Sequence, residues 1–261
     1  MTHFSTPPTK PQGFVNFVGA GPGAVQHLTL GALRAIQGAD VILYDRLIGP
    51  EILALAPKNA AAIEVGKTGF GTSTPQAVIN ALLVSHARTG AQVVRMKAGD
   101  SGIFGRLDEE IEALEAASLP FAILPGLTAA TVAAATIGQS LTKRGRNASV
   151  RFLTGHDVAG YAEQDWRSLA KAGQVAAIYM GKKSARFLQG RLLMHGANPQ
   201  TAITLVENIS RADQQIIASN LERLAEDILA LTGPAVLLYG LKPRQAQQAL
   251  AHVPIMTEVR A

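Results

Sequence analysis

Apolar and polar residues follow two alternating spacings along most of this chain. Short apolar runs such as Phe14–Val18 are followed by stretches such as Leu28–Gly38, in which apolar residues recur every three or four positions. The first pattern is typical of buried strands, and the second is typical of helices with one buried face. Strands that alternate with helices predict an α/β fold.

The full pattern predicts two α/β domains, which cover residues 13–145 and 146–245. The strands predicted in the first domain are Phe14–Val18, Asp40–Tyr44, Ala62–Val65, Gln92–Met96 and Phe121–Leu124. Its predicted helices are Leu28–Gly38 with Thr29 as cap, a short helix opened by Pro50, Pro75–Arg88, Asp108–Ala117 and Thr128–Ile137. Beyond the interruption at Gln139–Asn147, the predicted strands are Val150–Leu153, Val175–Met180, Ala202–Val206, Gln215–Ala218 and Ala235–Tyr239, and the predicted helices are Trp166–Ala172, Ser184–His195 and Leu221–Leu231. We expect a mainly parallel first sheet and a more mixed second sheet.

The ends of the chain fall outside this pattern. Residues 1–12 carry three prolines and three threonines but no apolar stretch, so we expect a flexible tail there and no secretory signal. A second tail is expected at 246–261. The chain has no cysteine, which excludes disulfides, thiolate catalysis and cysteine-ligated metals. Without a secretory signal or cysteines, we expect a cytoplasmic protein. No apolar run approaches the roughly 20 residues of a membrane span.

The charge pattern favours acidic small molecules over nucleic acids. The formal net charge is +5, but the basic residues are spread along the chain and do not interleave with aromatic residues, as they do in nucleic-acid-binding proteins. The six histidines show no clustered or i,i+4 spacing, so we expect no catalytic metal.

Two glycine-rich turns follow predicted strands, one at Gly19–Gly23 and one at Lys97–Arg106. Glycine allows the main chain to approach a ligand closely, so these turns indicate a small molecule held at strand ends. The first turn formally matches the dinucleotide fingerprint, with acidic residues about 20 positions further on. However, helical periodicity begins only near Leu28, and Pro22 lacks the N–H group that would bind phosphate. Besides a small-molecule site and a dinucleotide site, a tight turn that binds no ligand is the third interpretation of this segment.

A larger set of motifs resembles the uroporphyrinogen III C-methyltransferases, which belong to the tetrapyrrole methylases. The matching segments run in order from about residue 14 to residue 242. They are Val18–Gly23, Leu28–Leu30, Ala39–Leu47, Val65–Lys67, Arg95–Arg106, Leu124–Ala129, Val150–His156, Tyr179–Gly181 and Leu205–Glu207. Each motif alone is weak, whereas the ordered set is specific.

The resemblance implies a fold, a reaction and an assembly. The fold is two α/β domains of the tetrapyrrole methylase type, with S-adenosylmethionine in the inter-domain cleft of a homodimer. The implied reaction methylates uroporphyrinogen III at carbons 2 and 7 and gives precorrin-2 through precorrin-1, for sirohaem, cobalamin or a related haem. The dehydrogenase/ferrochelatase module of fused sirohaem synthases is not expected in this chain.

The resemblance also implies roles for individual residues. The implied cofactor contacts are Pro22, Ala98, Gly99, Asp100, Ile103, Thr128, Ala129, Met180 and Ile209. Asp45 and Lys67 are the implied acid/base residues, and Arg106, Glu109 and Arg144 are the implied substrate-contacting or catalytic residues. The competing interpretations are a turn aspartate for Asp45, a solvated lysine for Lys67, exposed charges for Arg106 and Arg144, a helix cap for Glu109 and core packing for Met180.

The second glycine turn departs from the family pattern. It has Ala98 in place of a glycine, Ser101-Gly102 in place of Pro-Phe and Leu107-Asp108 in place of Gly-Gly. A methylase that acts on a later corrin intermediate therefore stays open as an alternative substrate class. A nicotinamide-dependent oxidoreductase and a non-enzymatic binding protein are the alternatives from other classes.

Overall fold

A computed structural model of the chain describes residues 13–66, 74–157 and 160–244. The contacts between residues divide the chain into two units, and the division falls between Ala129 and Ala130. Each unit contains one five-stranded sheet. The two predicted tails and Lys67 lie outside the described residues.

The first unit is built on a parallel sheet with the strand order β3-β2-β4-β1-β5. Its strands are β1 (Phe14–Gly19), β2 (Val41–Tyr44), β3 (Ala61–Glu64), β4 (Gln92–Lys97) and β5 (Phe121–Leu124). Its helices are α1 (Leu30–Gln37), α2 (Pro50–Leu53), α3 (Gln76–Arg88) and α4 (Leu107–Ala116), while α5 (Ala129–Thr136) crosses the division. Because all five strands run in one direction, their carboxyl ends lie at the same edge of the sheet. This confirms the predicted parallel sheet.

Helices cover both faces of this sheet, which explains why its strands are almost continuously apolar. Phe17 of β1 packs in a cluster with Leu83 of α3 and Leu114 of α4. The next residue, Val18, packs on the opposite face in a cluster with Ile36 of α1. Successive side chains of a strand point to opposite faces, so each strand contributes to both cores.

The second unit contains a mixed sheet with the strand order β11-β10-β12-β9-β6, as predicted. Its strands are β6 (Arg151–Thr154), β7 (His156–Asp157), β8 (Gly160–Tyr161), β9 (Ala176–Tyr179), β10 (Ala202–Glu207), β11 (Gln215–Asn220) and β12 (Ala235–Tyr239). Its helices are α6 (Trp166–Leu169), α7 (Ala185–Met194) and α8 (Leu224–Asp227). β12 is antiparallel to both β9 and β10, so those two strands run in the same direction and end at the same edge.

One local prediction for the second unit was wrong, and one feature was missed. The predicted helix Leu221–Leu231 is reduced to α8 and a 3-10 turn over Ile228–Ala230. Its apolar spacing reflects burial, because Leu221, Leu224, Ile228 and Leu231 all lie in the core, although only part of the segment is helical. The small hairpin of β7 and β8 was missed, since two-residue exposed strands carry no apolar alternation.

The division between the units falls before the boundary near residue 145 that the sequence pattern suggested. The amide of Gln139 donates a hydrogen bond to the carbonyl of Lys242 (2.8 Å) within the second unit. The backbone N–H of Ala130 donates to the Tyr179 hydroxyl (3.0 Å) of the same unit. Residues 130–145 therefore belong to the second unit by their contacts, and the break in periodicity marks a loop inside it.

Candidate functional site

The carboxyl ends of β1 and β4 form a topological switch point in the first sheet. The two strands are neighbours, and the chain leaves β1 for α1 on one face of the sheet but leaves β4 for α4 on the other face. Loops that diverge in this way open a crevice at the carboxyl edge, where ligands bind in open α/β sheets. The two glycine-rich turns follow these two strands.

The two turns are joined by main-chain hydrogen bonds. The N–H of Gly21 donates to the Gly99 carbonyl (3.1 Å), and the N–H of Gly99 donates to the Gly21 carbonyl (2.8 Å). Ala20 donates to the Lys97 carbonyl in the same way (2.9 Å). Both glycines have positive φ, +69° for Gly21 and +74° for Gly99, which glycine adopts without strain.

A third loop, which follows β5, packs against both turns without any side chain in between. A Cβ atom added to Gly126 would lie 2.3 Å from the carbonyl oxygen of Gly99 and 2.6 Å from the carbonyl carbon of Gly19. A Cβ atom added to Gly19 would lie 2.5 Å from the amide nitrogen of Gly126. The three loops can approach this closely only because these positions are glycines.

Asp100 ties two of these loops together. One oxygen of its carboxylate accepts the N–H of Gly102 (2.9 Å), and the other accepts the N–H of Gly126 (2.9 Å). Asp100 therefore has a scaffolding role that the sequence did not reveal. Its predicted contact with a cofactor stays a prediction.

The structure argues against the dinucleotide interpretation of the first turn. The N–H groups of Ala20 and Gly21 already bind the second turn, and Pro22 has none. The next regular helix, α1, begins only at Leu30, so its N-terminus does not follow the glycines directly. A pyrophosphate needs free N–H groups at a helix start, and these three successive positions offer none.

The structure brings the predicted cofactor residues together in two groups. Seven of them follow β1, β4 and β5 at the carboxyl edge of the first sheet: Pro22, Ala98, Gly99, Asp100, Ile103 and Thr128 on the three loops, and Ala129 at the start of α5. The other two, Met180 and Ile209, follow β9 and β10 at the shared edge of the second sheet.

Met180 does not pack in the core, so the competing interpretation of Met180 as a core residue is wrong. Its side chain is 50% exposed, and its φ of +52° lies in the left-handed region that few residues other than glycine adopt. Ile209 is buried, and both of its neighbours, Asn208 and Ser210, also have positive φ. Unusual backbone conformations of this kind cluster at functional sites.

Arg106 and Glu109 form an exposed ion pair at the start of α4. The Arg106 guanidinium donates two hydrogen bonds of 2.7 Å to the two carboxylate oxygens of Glu109. These hydrogen bonds raise the pKa of Arg106 and lower the pKa of Glu109. Arg106, the last residue of the second turn, has a φ of +54°, which lies in the left-handed region. Glu109 binds the Arg106 side chain, which differs from the competing interpretation of Glu109 as a helix cap; its predicted catalytic or substrate-contacting role stays a prediction.

Arg144 is exposed on a loop of the second unit. Residues 142–148 line an open surface groove of about 630 Å³. The neighbouring Arg146 supports the loop, because its guanidinium donates to Asn147 (2.8 Å) and to the Ser140 carbonyl (2.6 Å). Arg144 is thus presented to solvent by a loop that its neighbours stabilise.

A buried network of charged side chains lies beneath the second turn and was missed from the sequence. Arg95 and Lys97 point to the same side of β4, and Glu110 of α4 faces them. The carboxylate of Glu110 accepts hydrogen bonds from Arg95 Nε (3.2 Å to each oxygen) and from Lys97 Nζ (2.8 Å). Burial, followed by the charge of Arg95, lowers the pKa of Lys97, while Glu110 opposes this effect.

This network holds the predicted acid/base residue Asp45. Arg95 Nη2 donates to Asp45 Oδ1 at 2.7 Å. The Asp45 side chain is 33% exposed, whereas that of Arg95 is only 3% exposed. Asp45 is therefore fixed by a buried cation while it stays open to the carboxyl edge.

Two signals in the sequence could have revealed this network. Arg95 and Lys97 stand two positions apart at the end of a strand whose residues Val93, Val94 and Met96 are apolar, so the two cations share one face. Glu110 lies four residues before the buried Leu114, which places it on the inner face of α4, whereas Glu109 faces outward. Helical phase thus separates the two adjacent glutamates.

The predicted partner of Asp45, Lys67, lies outside the described residues. The residue before it, Gly66, packs tightly on the end of β2, since a Cβ atom there would lie 2.5 Å from the amide nitrogen of Arg46. Within the described part of the chain, we find no cluster of three or more acidic, histidine or cysteine side chains that could hold a metal, and no helix long and apolar enough to cross a bilayer.

Comparison with known proteins identifies relatives that match most of the chain. Residues 15–225 match the family model of the tetrapyrrole (corrin/porphyrin) methylases. A sirohaem synthase of Edwardsiella ictaluri is 44% identical over 92% of this chain. The chain spans about half of that relative's length, 53%.

Solved structures share the fold. The uroporphyrin-III C-methyltransferase of Thermus thermophilus, crystallised with S-adenosylhomocysteine, superposes with a TM-score of 0.74 at 34% identity and covers 87% of this chain and 91% of its own. A cobalt precorrin-4 methyltransferase superposes with a TM-score of 0.78 at 21% identity, over 87% of this chain and 94% of its own, a likeness of fold alone.

The packing of the three loops predicts that Gly126→Ala destabilises the protein. We expect a loss of about 2 kcal/mol or more in the free energy of unfolding, because the new methyl group overlaps two main-chain segments. The matched control is Gly190→Ala in α7, where an added Cβ atom meets nothing within 4 Å. That change should stabilise by about 0.5–1 kcal/mol, because alanine favours helix. Urea unfolding measures both, and equal effects would contradict the tight contact.

The environment of His27 predicts a pH dependence of stability. Burial lowers the pKa of His27, whose buried Nδ1 has no hydrogen-bond partner among the described residues. As pH falls through the ordinary histidine pKa of about 6.5, the unfolded chain binds a proton that the folded chain resists. The free energy of unfolding should therefore decrease as pH falls through that range. The slope should be smaller than about 1.4 kcal/mol per pH unit, which is the slope for uptake of one whole proton. His27→Gln should flatten this dependence in unfolding curves at pH 7.5 to 5.5, and an unchanged slope would contradict it.

Proposed function

The chain belongs to the tetrapyrrole (corrin/porphyrin) methylase family, and on that premise we propose that it is an S-adenosylmethionine-dependent C-methyltransferase of uroporphyrinogen III. In this proposal, methylation at carbons 2 and 7 gives precorrin-2 through precorrin-1. The name of the Thermus relative supports this substrate, and its bound S-adenosylhomocysteine supports the methyl donor.

The observation that carries the proposal is the main-chain packing of the three loops at the switch point. It brings the backbone of the three loops together at the carboxyl edge, beside the exposed apolar side chains of Phe104 and Leu127, with no N–H group of residues 20–22 free for a pyrophosphate. Such an edge suits a nucleoside without phosphates. The residues assigned to the methyl donor by resemblance lie on these same loops.

S-adenosylmethionine, when bound, supplies an already activated methyl group. The protein's task is then to align a nucleophilic ring carbon with that methyl group and to exclude water. After the ring carbon gains the methyl group, the macrocycle must lose a proton. Asp45 is our candidate for the group that accepts this proton, because Arg95 fixes its carboxylate while a third of the side chain stays exposed.

Two arginines bind carboxylates of the acidic substrate in this proposal. Uroporphyrinogen carries several carboxylates, and a guanidinium group can bind a carboxylate through two parallel hydrogen bonds. Arg106 already binds Glu109 in this way at the surface, so a substrate carboxylate would compete with Glu109 for the same donors. Arg144 is exposed and would bind a second carboxylate.

The proposed pathway is taken from the names of the relatives. Because the Edwardsiella relative is named a sirohaem synthase, we propose sirohaem synthesis as the pathway that uses the product. A cytoplasmic homodimer is the proposed assembly. A later corrin intermediate is the second candidate substrate, which Ala98 and Ser101-Gly102 in the second turn keep open.

The test is anaerobic incubation of the purified protein with uroporphyrinogen III and S-adenosylmethionine, followed by mass spectrometry. A mass gain of two methyl groups is the expected result. S-adenosylhomocysteine binding without methyl transfer would move the substrate to later corrins. If neither binding nor transfer occurs, the proposed function is wrong.

The proposed role of Asp45 predicts that Asp45→Asn slows methyl transfer in a single turnover. We expect a loss of about 100-fold, because a positioned base contributes roughly 10²–10⁴-fold. The affinity for S-adenosylhomocysteine should stay unchanged. The control is Asp227→Asn, which removes a surface ion pair with Arg223 in the second unit. A rate equal to that of the unaltered protein across pH would rule out the role.

The proposed substrate contacts predict that Arg106→Lys and Arg144→Lys weaken tetrapyrrole binding. Lysine keeps the charge but loses the paired hydrogen bonds, so we expect the KM for the tetrapyrrole to rise about tenfold, the equivalent of about 1.4 kcal/mol. The control is Arg223→Lys on the surface of the second unit. An unchanged KM in both variants would contradict the assignment.

A further inference from the structure

Glu110 is the centre of the buried charged network. The residue is completely buried, and its carboxylate accepts hydrogen bonds from Arg95, Lys97 and the amide of Gln76 (3.1 Å). A carboxylate this deep in a protein is stable only when charged and polar partners surround it. Its position prevents any direct contact with a substrate.

Two arms extend from Glu110 to the functional edge. One runs through Arg95 to Asp45, where the contact is 2.7 Å. The other runs through Lys97, whose ammonium group also donates to the carbonyl of Gly105 at 2.6 Å. The first arm ends on the proposed acid/base residue, and the second closes the turn that carries the proposed cofactor residues.

The second arm fixes the turn from its own base. Lys97 is the last residue of β4, and Gly105 lies at the far end of the turn, so the hydrogen bond joins the two ends of that segment. Gly105 also packs on Ser101, because a Cβ atom there would lie 2.5 Å from the Ser101 carbonyl oxygen. A turn held in this way has little freedom to change shape around a ligand.

The charges of the network balance. Arg95 and Lys97 are two cations, and Asp45 and Glu110 are two anions, all in contact across β2, β4 and α4. If Glu110 loses its charge, Asp45 is the one carboxylate left in the network to balance two cations. Arg95 keeps its contacts with Asp45 and the carbonyl of Met96, and Lys97 keeps its contact with the carbonyl of Gly105, but both lose the ion pair that links them.

We propose that Glu110 is a positioning residue that couples the acid/base carboxylate to the cofactor turn. It sets the orientation of Asp45 through Arg95 and the conformation of the second glycine turn through Lys97. The inference rests on the proposed function for its catalytic half, whereas its cofactor half depends only on S-adenosylhomocysteine binding.

The two arms can be separated with two variants. Lys97→Met removes the arm to Gly105 but leaves Glu110 paired with Arg95, so the fold has the best chance of surviving. Glu110→Gln keeps the side-chain size and removes the charge that both arms share. The matched control is Glu112→Gln, an exposed glutamate on the same helix. Calorimetry with S-adenosylhomocysteine, kcat at saturating S-adenosylmethionine, and urea unfolding are measured for each.

The proposal predicts a different result for each variant. Lys97→Met should weaken S-adenosylhomocysteine binding about tenfold and change kcat less than about threefold, since the Asp45 arm is intact. Glu110→Gln should weaken binding by a similar factor and also lower kcat about tenfold or more. Glu110→Asp, which keeps the charge, should recover part of both losses. Glu112→Gln should match the unaltered protein.

A purely structural role would give another pattern. If folded Lys97→Met binds S-adenosylhomocysteine within about twofold of the unaltered protein, the turn arm is wrong. If folded Glu110→Gln keeps kcat within about twofold, the Asp45 arm is wrong. If Glu110→Gln does not fold, Glu110→Asp decides the catalytic half: a kcat equal to that of the unaltered protein despite the shortened side chain overturns it. Should the unaltered protein bind S-adenosylhomocysteine but transfer no methyl group, the proposed function fails, and the binding data still judge the turn arm.

Discussion

Close main-chain contact between three loops is the constraint on which the candidate site depends. Gly19 ends β1, and Gly99 and Gly126 lie two residues beyond the neighbouring strands β4 and β5. Their backbones touch where side chains would otherwise separate them. Beside this contact, the N–H groups of Ala20 and Gly21 are bound to carbonyl groups of the second turn, so they are not available to a phosphate. The family's cofactor chemistry fits such an arrangement, and dinucleotide chemistry does not.

Beneath these loops, the sheet changes from apolar to charged within one strand. Val93 of β4 packs in the core, whereas Arg95 and Lys97 on the same face bind carboxylates. Burying these charges is tolerable because each has a partner of opposite sign and further hydrogen bonds. The result is a rigid polar layer that connects Asp45 to the second glycine turn through Glu110.

Much of the fold was predictable because its determinants are local in sequence. Apolar periodicity located nearly every strand and helix, and Thr29 was correctly identified as a helix cap, since its hydroxyl accepts the N–H of Ala32 at 3.1 Å. The order of the glycine turns also indicated that ligand chemistry belongs at strand ends. These signals need only a few neighbouring residues.

The side-chain contacts of the candidate site could not be predicted from the sequence, because they join segments that are far apart along the chain. Asp100 bonds to Gly126, and Arg95 bonds to Asp45, across separations that no local pattern encodes. Met180 follows an apolar strand, yet its left-handed backbone turns the side chain out to solvent. Helical phase could have favoured Glu110 over Glu109 as the buried glutamate, but only once α4 was known to pack on β4 through that face.

Calorimetric titration of the unaltered protein with S-adenosylhomocysteine, NADH and NADPH tests the nature of the cofactor site. We expect S-adenosylhomocysteine to bind and the two dinucleotides not to bind, because residues 20–22 offer no N–H group to a pyrophosphate. Binding of a nicotinamide dinucleotide without binding of S-adenosylhomocysteine would contradict the account at its centre.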